Sequence, residues 1–333
     1  MGGRDFLLGQ LVSIALAFAL LGALLYTGRH LEGPDFLQAA AKLVGPFAAR
    51  VIAAVLLVFV AVALLSTLRM GVGIFTFVYV QTPAIVLILA GLAVVAYALY
   101  GGLEVIARVG QLLMPQVMLV LLLGILLAAP NMRGENLFPL LEDGLRPVFA
   151  SGAVQFAQWG EITSLVVLIP YVHNRHELPK HLARSLGAAS LILLTIVGAV
   201  VSVLGALAPT TSFKLLEVYR YISIGRLVER VDILLLLMYY FVTFVKACVL
   251  FYVLLALFRQ LFNLRTYRPF ILPAAAIGAV LAVVTPLTIP RLLQHPIFML
   301  PFNLFVPVAV AGTLLAGCLP KGRRSAPRPG TAP

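Results

Sequence analysis

The sequence predicts an all-α polytopic membrane protein, and three observations predict it. Hydrophobic residues fill 62% of the 333 positions and charged residues only 11%, with a mean hydropathy of +1.07, whereas soluble domains carry about a quarter charged residues. The apolar residues gather in runs of roughly 20, the length a helix needs to cross the hydrocarbon core. None of the runs alternates as a transmembrane barrel strand does.

Nine runs bounded by charge, Pro or Gly meet this length criterion. They are Phe6 to Tyr26, Phe47 to Leu68, Pro83 to Tyr100, Ile106 to Ala129, Val148 to Val172, Leu186 to Ala208, Ile233 to Phe258, Phe270 to Ile289 and Pro296 to Gly317. The first is longer than a signal-peptide core and no small-x-small cleavage site follows it, so it reads as a retained helix. Residues 1–320 form one membrane domain on this reading, and 321–333 form a basic, Pro-rich tail.

Sorting the loops by alternate sides gives 14 Lys and Arg against 4 acidic residues on one side, and 9 against 7 on the other. The first side, which holds Arg29, Arg175, Arg259 and the tail, is therefore expected in the cytoplasm, with the amino terminus outside. The isoelectric point near 10.1 reflects basic residues scattered over short loops. That pattern suits anionic lipid headgroups of the bilayer better than nucleic acid.

Cys248 and Cys318 fall inside runs without CxxC spacing and read as apolar filler. His173, His176 and His181 share one loop without a carboxylate cluster, and are expected to be solvated rather than to hold a metal. No P-loop, HExxH, GxSxG or dinucleotide glycine pattern occurs, so no cofactor is expected and nothing points to an enzyme.

The fifth run is interrupted at its middle by Gln155, Phe156, Ala157, Gln158, Trp159, Gly160 and Glu161. A carboxylate and a helix breaker at membrane depth cost several kcal/mol unless protein or a water-filled cavity receives them. Gly160 would permit unwinding, and Trp159, the sole tryptophan, would cap a ligand, act as a gate or simply pack.

Lys246 is the second intramembrane charge. It lies 14 residues after Asp232 and 13 before Arg259, on the order of 20 Å of helix from either, so its ammonium is expected to point into the bundle. Tyr239, Thr243 and Lys246 share i, i+4, i+7 spacing and form one polar stripe. Lys246 serves either a ligand or gating role, or a structural pairing with Glu161 or broken-helix carbonyls.

The stretch Phe213 to Asp232 interleaves apolar and charged residues and reads as two short amphipathic helices hinged near Ser223 to Gly225. They would lie on the outer face, as a lid or an interfacial pair.

Several stretches resemble the spore-germination permeases, the B subunits of germinant receptors in the amino acid/polyamine/organocation transporter superfamily. They are Asn136-Leu-Phe-Pro139 through Gly144-Leu-Arg-Pro147; Phe156 to Tyr171 with Gly160-Glu161 and Leu168-Ile-Pro-Tyr171; Tyr221-Ile-Ser-Ile-Gly225 through Val228-Glu-Arg230 into Phe244-Val-Lys246; and Gly102-Leu-Glu104 to Arg108.

The resemblance implies a ten-helix inverted-repeat fold in which the fifth run is the family's helix six, unwound at the substrate. Family members carry one more hydrophobic helix ahead of Gly3-Arg4-Asp5, so it implies a chain lacking the first of ten helices, through a late start or as a degenerate copy. It places Lys246 near the coupling cation of related transporters.

The implied function is a spore inner-membrane subunit that binds a small germinant, an amino acid first of all, and signals to germinant receptor A and C subunits. The alternatives are a secondary transporter of amino acids or polyamines coupled to protons or cations, and a nonfunctional scaffold. The expected ligand-site residues are Gln155, Gln158, Trp159, Gly160, Glu161, Tyr239 and Thr243, with Lys246 gating or coupling.

Overall fold

The computed structural model describes residues 6–78, 81, 83–137, 144–172, 174–205, 214–220, 232–284 and 296–318, which are mostly helical with no strand among them. Helices occupy all nine expected runs: α1 (Phe6–Arg29), α3 (Pro46–Val78), α4 (Ala84–Gly101), α5 (Leu103–Ala128), α6 (Leu145–Trp159) with its 3₁₀ continuation, α7 (Leu178–Leu204), α9 (Asp232–Leu261), α10 (Ile271–Val284) and α11 (Pro296–Cys318). Two further short helices are α2 (Phe36–Val44) and α8 (Lys214–Arg220).

Five of the long helices are apolar enough to cross a membrane, and shorter apolar helices cover Ile85–Gly101, Arg268–Val284 and Phe302–Cys318. On α5, Leu112, Leu119, Leu122 and Leu126 are all more than 60% exposed. A stripe of that size would be an aggregation surface in water and is a lipid-facing surface in a bilayer. The protein is an all-α integral membrane bundle.

The bundle is built on two close helix pairs, α1 with α6 and α3 with α9. A Cβ on Gly9 of α1 would fall 2.9 Å from the Gly152 backbone N of α6, and one on Gly71 of α3 would fall 2.8 Å from Thr243 Cγ2 of α9. Small residues allow such approach where no hydrophobic effect drives helices together. Leu56, Phe59 and Val60 of α3 meet Leu250, Phe251 and Leu257 of α9 in the main core.

α2 is too short to register as a span. Its Phe36, Ala39 and Ala40 are buried while Lys42 faces out, the i, i+3, i+4 pattern of a helix lying on other helices. It turns into α3 at Gly45, whose φ of +93° favours glycine.

α7 begins at Leu178, eight residues ahead of the expected run, because Pro179 fits a first turn and Lys180, His181 and Arg184 face solvent there. α8 is the first of the two amphipathic helices expected in the outer loop; the second lies outside the described residues. Rather than resting on the surface, α8 sinks Leu216, Val218 and Tyr219 among Val117 and Leu121 of α5, Leu204 of α7 and Leu235 of α9. Tyr219 Oη donates to Val120 O at 2.9 Å. The tail 321–333 and His173 also lie outside the described residues.

Candidate functional site

The α-helical part of the fifth run stops at Trp159, where the sequence places Gly160. Residues Gly160–Val167 then continue as a 3₁₀ helix, followed by Ile169–Tyr171. An eight-residue 3₁₀ stretch is longer than usual and marks a hinge or a strained segment. Pro170, which lacks an N–H, prevents recovery of the α ladder.

Gly160 has φ −54° and ψ −28°, a conformation open to any residue, so the expected role in unwinding does not rest on backbone freedom. Its need is space: a Cβ there would fall 2.4 Å from Asn303 O and 2.9 Å from Pro307 Cγ of α11.

At the second residue of the 3₁₀ segment, Glu161 Oε2 meets Lys246 Nζ of α9 at 2.8 Å. The side chains are 30% and 42% exposed respectively, so the pair joins two helices without being sealed in the core. Ser164 Oγ donates to Glu161 O at 2.7 Å across the tight turn.

The other expected residues do not converge on this pair. Gln155 is buried and its Nε2 donates to Phe6 O at 3.0 Å, toward the start of α1. Trp159 is half-buried against Ala17 and Leu21 of α1 and Leu186 of α7, a packing role. Gln158 is exposed, and Tyr239 is half-buried.

Thr243 faces a separate apolar cavity of about 90 Å³ with Leu68 of α3, Ile88 and Val95 of α4, and Tyr240 and Phe244 of its own helix. The expected stripe therefore divides: Thr243 and Lys246, three residues apart, stand about 60° apart round the helix axis, and Lys246 meets Glu161 of the break while Thr243 lines the cavity against α3 and α4.

Two polar atoms flanking the break, Gln155 Oε1 and Thr163 Oγ1, are buried without a hydrogen-bond partner among the described residues. Thr163 is fully buried and did not stand out in the sequence, where a threonine in an apolar run is unremarkable.

At the basic end, a cluster the sequence did not reveal closes the exit of the broken segment. Asp35, ahead of α2, pairs with Arg259 near the end of α9. Tyr171 Oη donates to Asp35 Oδ1 at 3.0 Å and accepts from Arg259 Nη2 and Gln260 Nε2, both at 3.3 Å. Gln260 Oε1 in turn accepts the Leu37 N–H at 2.9 Å. Asp35 and Arg259 were legible only as loop charges on one side, and nothing local joins residues 224 positions apart. A cavity of about 320 Å³ opens beside the cluster, bordered by Arg50 and Asn263.

Among the described residues no group of three or more His, Cys, Asp or Glu side chains could hold a metal ion.

A family model described as "Spore germination protein" matches residues 8–288. Spore germination protein KB of Bacillus subtilis strain 168 is 28% identical over 172 residues, 50% of this chain and 46% of that protein. The chain thus spans about half the length of the curated relative it matches. With the family model covering most of its length and a broken helix inside an all-α bundle, the chain belongs to the spore germination permease family and is a germination-related membrane protein.

Proposed function

We propose that the protein binds a small zwitterionic germinant, an amino acid, at the Lys246–Glu161 pair beside the α6 break, and passes the change on to germinant receptor A and C subunits in the spore inner membrane. The observation that carries this is the pair itself, held at 2.8 Å with both side chains partly exposed. An ammonium and a carboxylate at that spacing are the complement of an amino acid: Glu161 receives the ligand's ammonium and Lys246 its carboxylate, so one ion pair is exchanged for two. Such an exchange keeps every charge compensated in a medium where an unpaired charge is expensive.

Gln155 and Thr163 each hold an unsatisfied buried polar atom flanking the break, hydrogen-bonding capacity in reserve. The 3₁₀ segment supplies the movable element, since Glu161 sits at its start and Tyr171, bonded to Asp35, at its end. Ligand exchange at Glu161 is thereby mechanically linked to the cluster at the basic end of the bundle, where partner subunits would read it.

The test is thermal stabilisation of the purified protein by amino acids, by the matching amines without a carboxylate, and by the matching acids without an ammonium. The reading expects stabilisation by a zwitterion and little by either half alone. A panel in which no zwitterion outperforms its halves would sink it.

A further inference from the structure

We infer that the crevice between the end of α1 and the start of α7 is a binding site for a phosphate-bearing anion, the headgroup of an anionic phospholipid. The crevice has a volume of about 580 Å³ and combines an apolar floor of Leu25, Gly28 and Ile169 with Arg29, Arg175 and His176. Among the described residues no acidic side chain lines it. The nearest carboxylate in sequence, Glu177, lies 3.5 Å from His181 instead.

The lining divides by chemistry as a lipid does. The floor is apolar, and the basic side chains stand where the apolar helix α1 ends, on the side that the loop-charge bias assigns to the cytoplasm, where anionic lipids attract Lys and Arg. A volume of this size is ample for a phosphate with its glycerol. The first turn of α7 borders the crevice at Leu178 and Pro179, and although Pro179 has no N–H, the helix dipole there adds to the positive potential supplied by the side chains.

Occupancy would have a mechanical consequence. Arg175 already donates to Leu31 O at 2.9 Å and Pro170 O at 3.2 Å, tying the end of the broken segment to the link between α1 and α2. An anion shared by Arg175 and Arg29 would clamp the broken segment to α1. The site is separate from the Lys246–Glu161 pair, and its existence does not depend on what that pair binds.

The experiment places the full chain in phosphatidylcholine nanodiscs with and without phosphatidylglycerol and counts retained lipid by native mass spectrometry. Arg29→Gln, His176→Gln and their double variant are compared with Arg265→Gln, an exposed basic residue of the same end outside the crevice. Arg175 is left intact because it also holds two carbonyls. A melting temperature unchanged in pure phosphatidylcholine checks folding, and Arg29→Lys should restore retention.

The expected result is a retained phosphatidylglycerol whose affinity falls about fivefold in Arg29→Gln and further in the double variant, with little loss in Arg265→Gln. Inorganic phosphate is titrated into the pure phosphatidylcholine discs to separate the two sources. Stabilisation by phosphate that Arg29→Gln abolishes assigns the site to a soluble phosphate, and retention indifferent to phosphate assigns it to lipid. No preference for phosphatidylglycerol together with no response to phosphate, or equal loss in Arg265→Gln and Arg29→Gln, would overturn the inference.

Discussion

Lys246 Nζ of α9 and Glu161 Oε2 of the broken helix lie 2.8 Å apart, with the lysine side chain 42% exposed and the glutamate 30% exposed. The pair resolves the question of how a lysine about 20 Å from either charged end of its helix is tolerated: it meets a carboxylate, and the two together remain reachable. That combination separates it from a sealed structural bridge.

Lys246→Met should therefore destabilise the protein by about 1–3 kcal/mol, between the values for exposed and buried pairs. Glu161→Gln should do the same, and the double variant should recover part of the loss because neither charge is then left alone. Denaturation in mild detergent of all four proteins gives the coupling. Additive losses would mean that the two side chains do not interact.

At the basic end, Tyr171→Phe removes one donated and two accepted hydrogen bonds and should cost about 1 kcal/mol. Asp35→Ala should cost more, since it leaves the Arg259 guanidinium without its carboxylate. Hydrogen exchange of the backbone around 169–172 should quicken in both variants while the α3–α9 core stays protected.

Gly160→Ala introduces a methyl 2.4 Å from a backbone oxygen of α11, so a helix rather than a side chain must move. A loss of about 1–3 kcal/mol is expected. Relief by Pro307→Ala should be small, since the nearer clash is with the Asn303 carbonyl. Thermal unfolding of the single and double variants checks this.

Burial pushes the Tyr219 phenol from 10.0 up to about 12. The folded state prefers the neutral ring, so this stability is fully present below pH 10 and is lost as pH rises from 10 toward 12. The melting temperature of the protein should fall more steeply across that window than that of Tyr219→Phe. Gly124→Ala, whose methyl would lie 1.9 Å from Tyr219 Oη, should expel α8, and Tyr219→Leu should partly restore the fold.

All nine runs were legible because bilayer thickness sets a single length scale that hydropathy detects directly. The break at Trp159 and Gly160 was legible because polar groups at membrane depth are conspicuous. What stayed hidden was pairing over distance: Asp35 with Arg259, Tyr219 over Gly124, and the pocketing of Thr243 away from Lys246. α2 escaped because nine amphipathic residues fall below the span length, although Phe36, Ala39 and Ala40 carry its signature. Gly160 was singled out for unwinding, and the space α11 requires of it was not visible in the sequence.

The most direct test of the central claim is to titrate the best-binding amino acid and its methyl ester, which keeps the ammonium but loses the carboxylate charge, into the protein and into Lys246→Met. If Lys246 receives the carboxylate, the unaltered protein should bind the ester roughly 10- to 100-fold more weakly than the amino acid. Lys246→Met should bind the two nearly alike. Equal discrimination by both proteins would contradict the account.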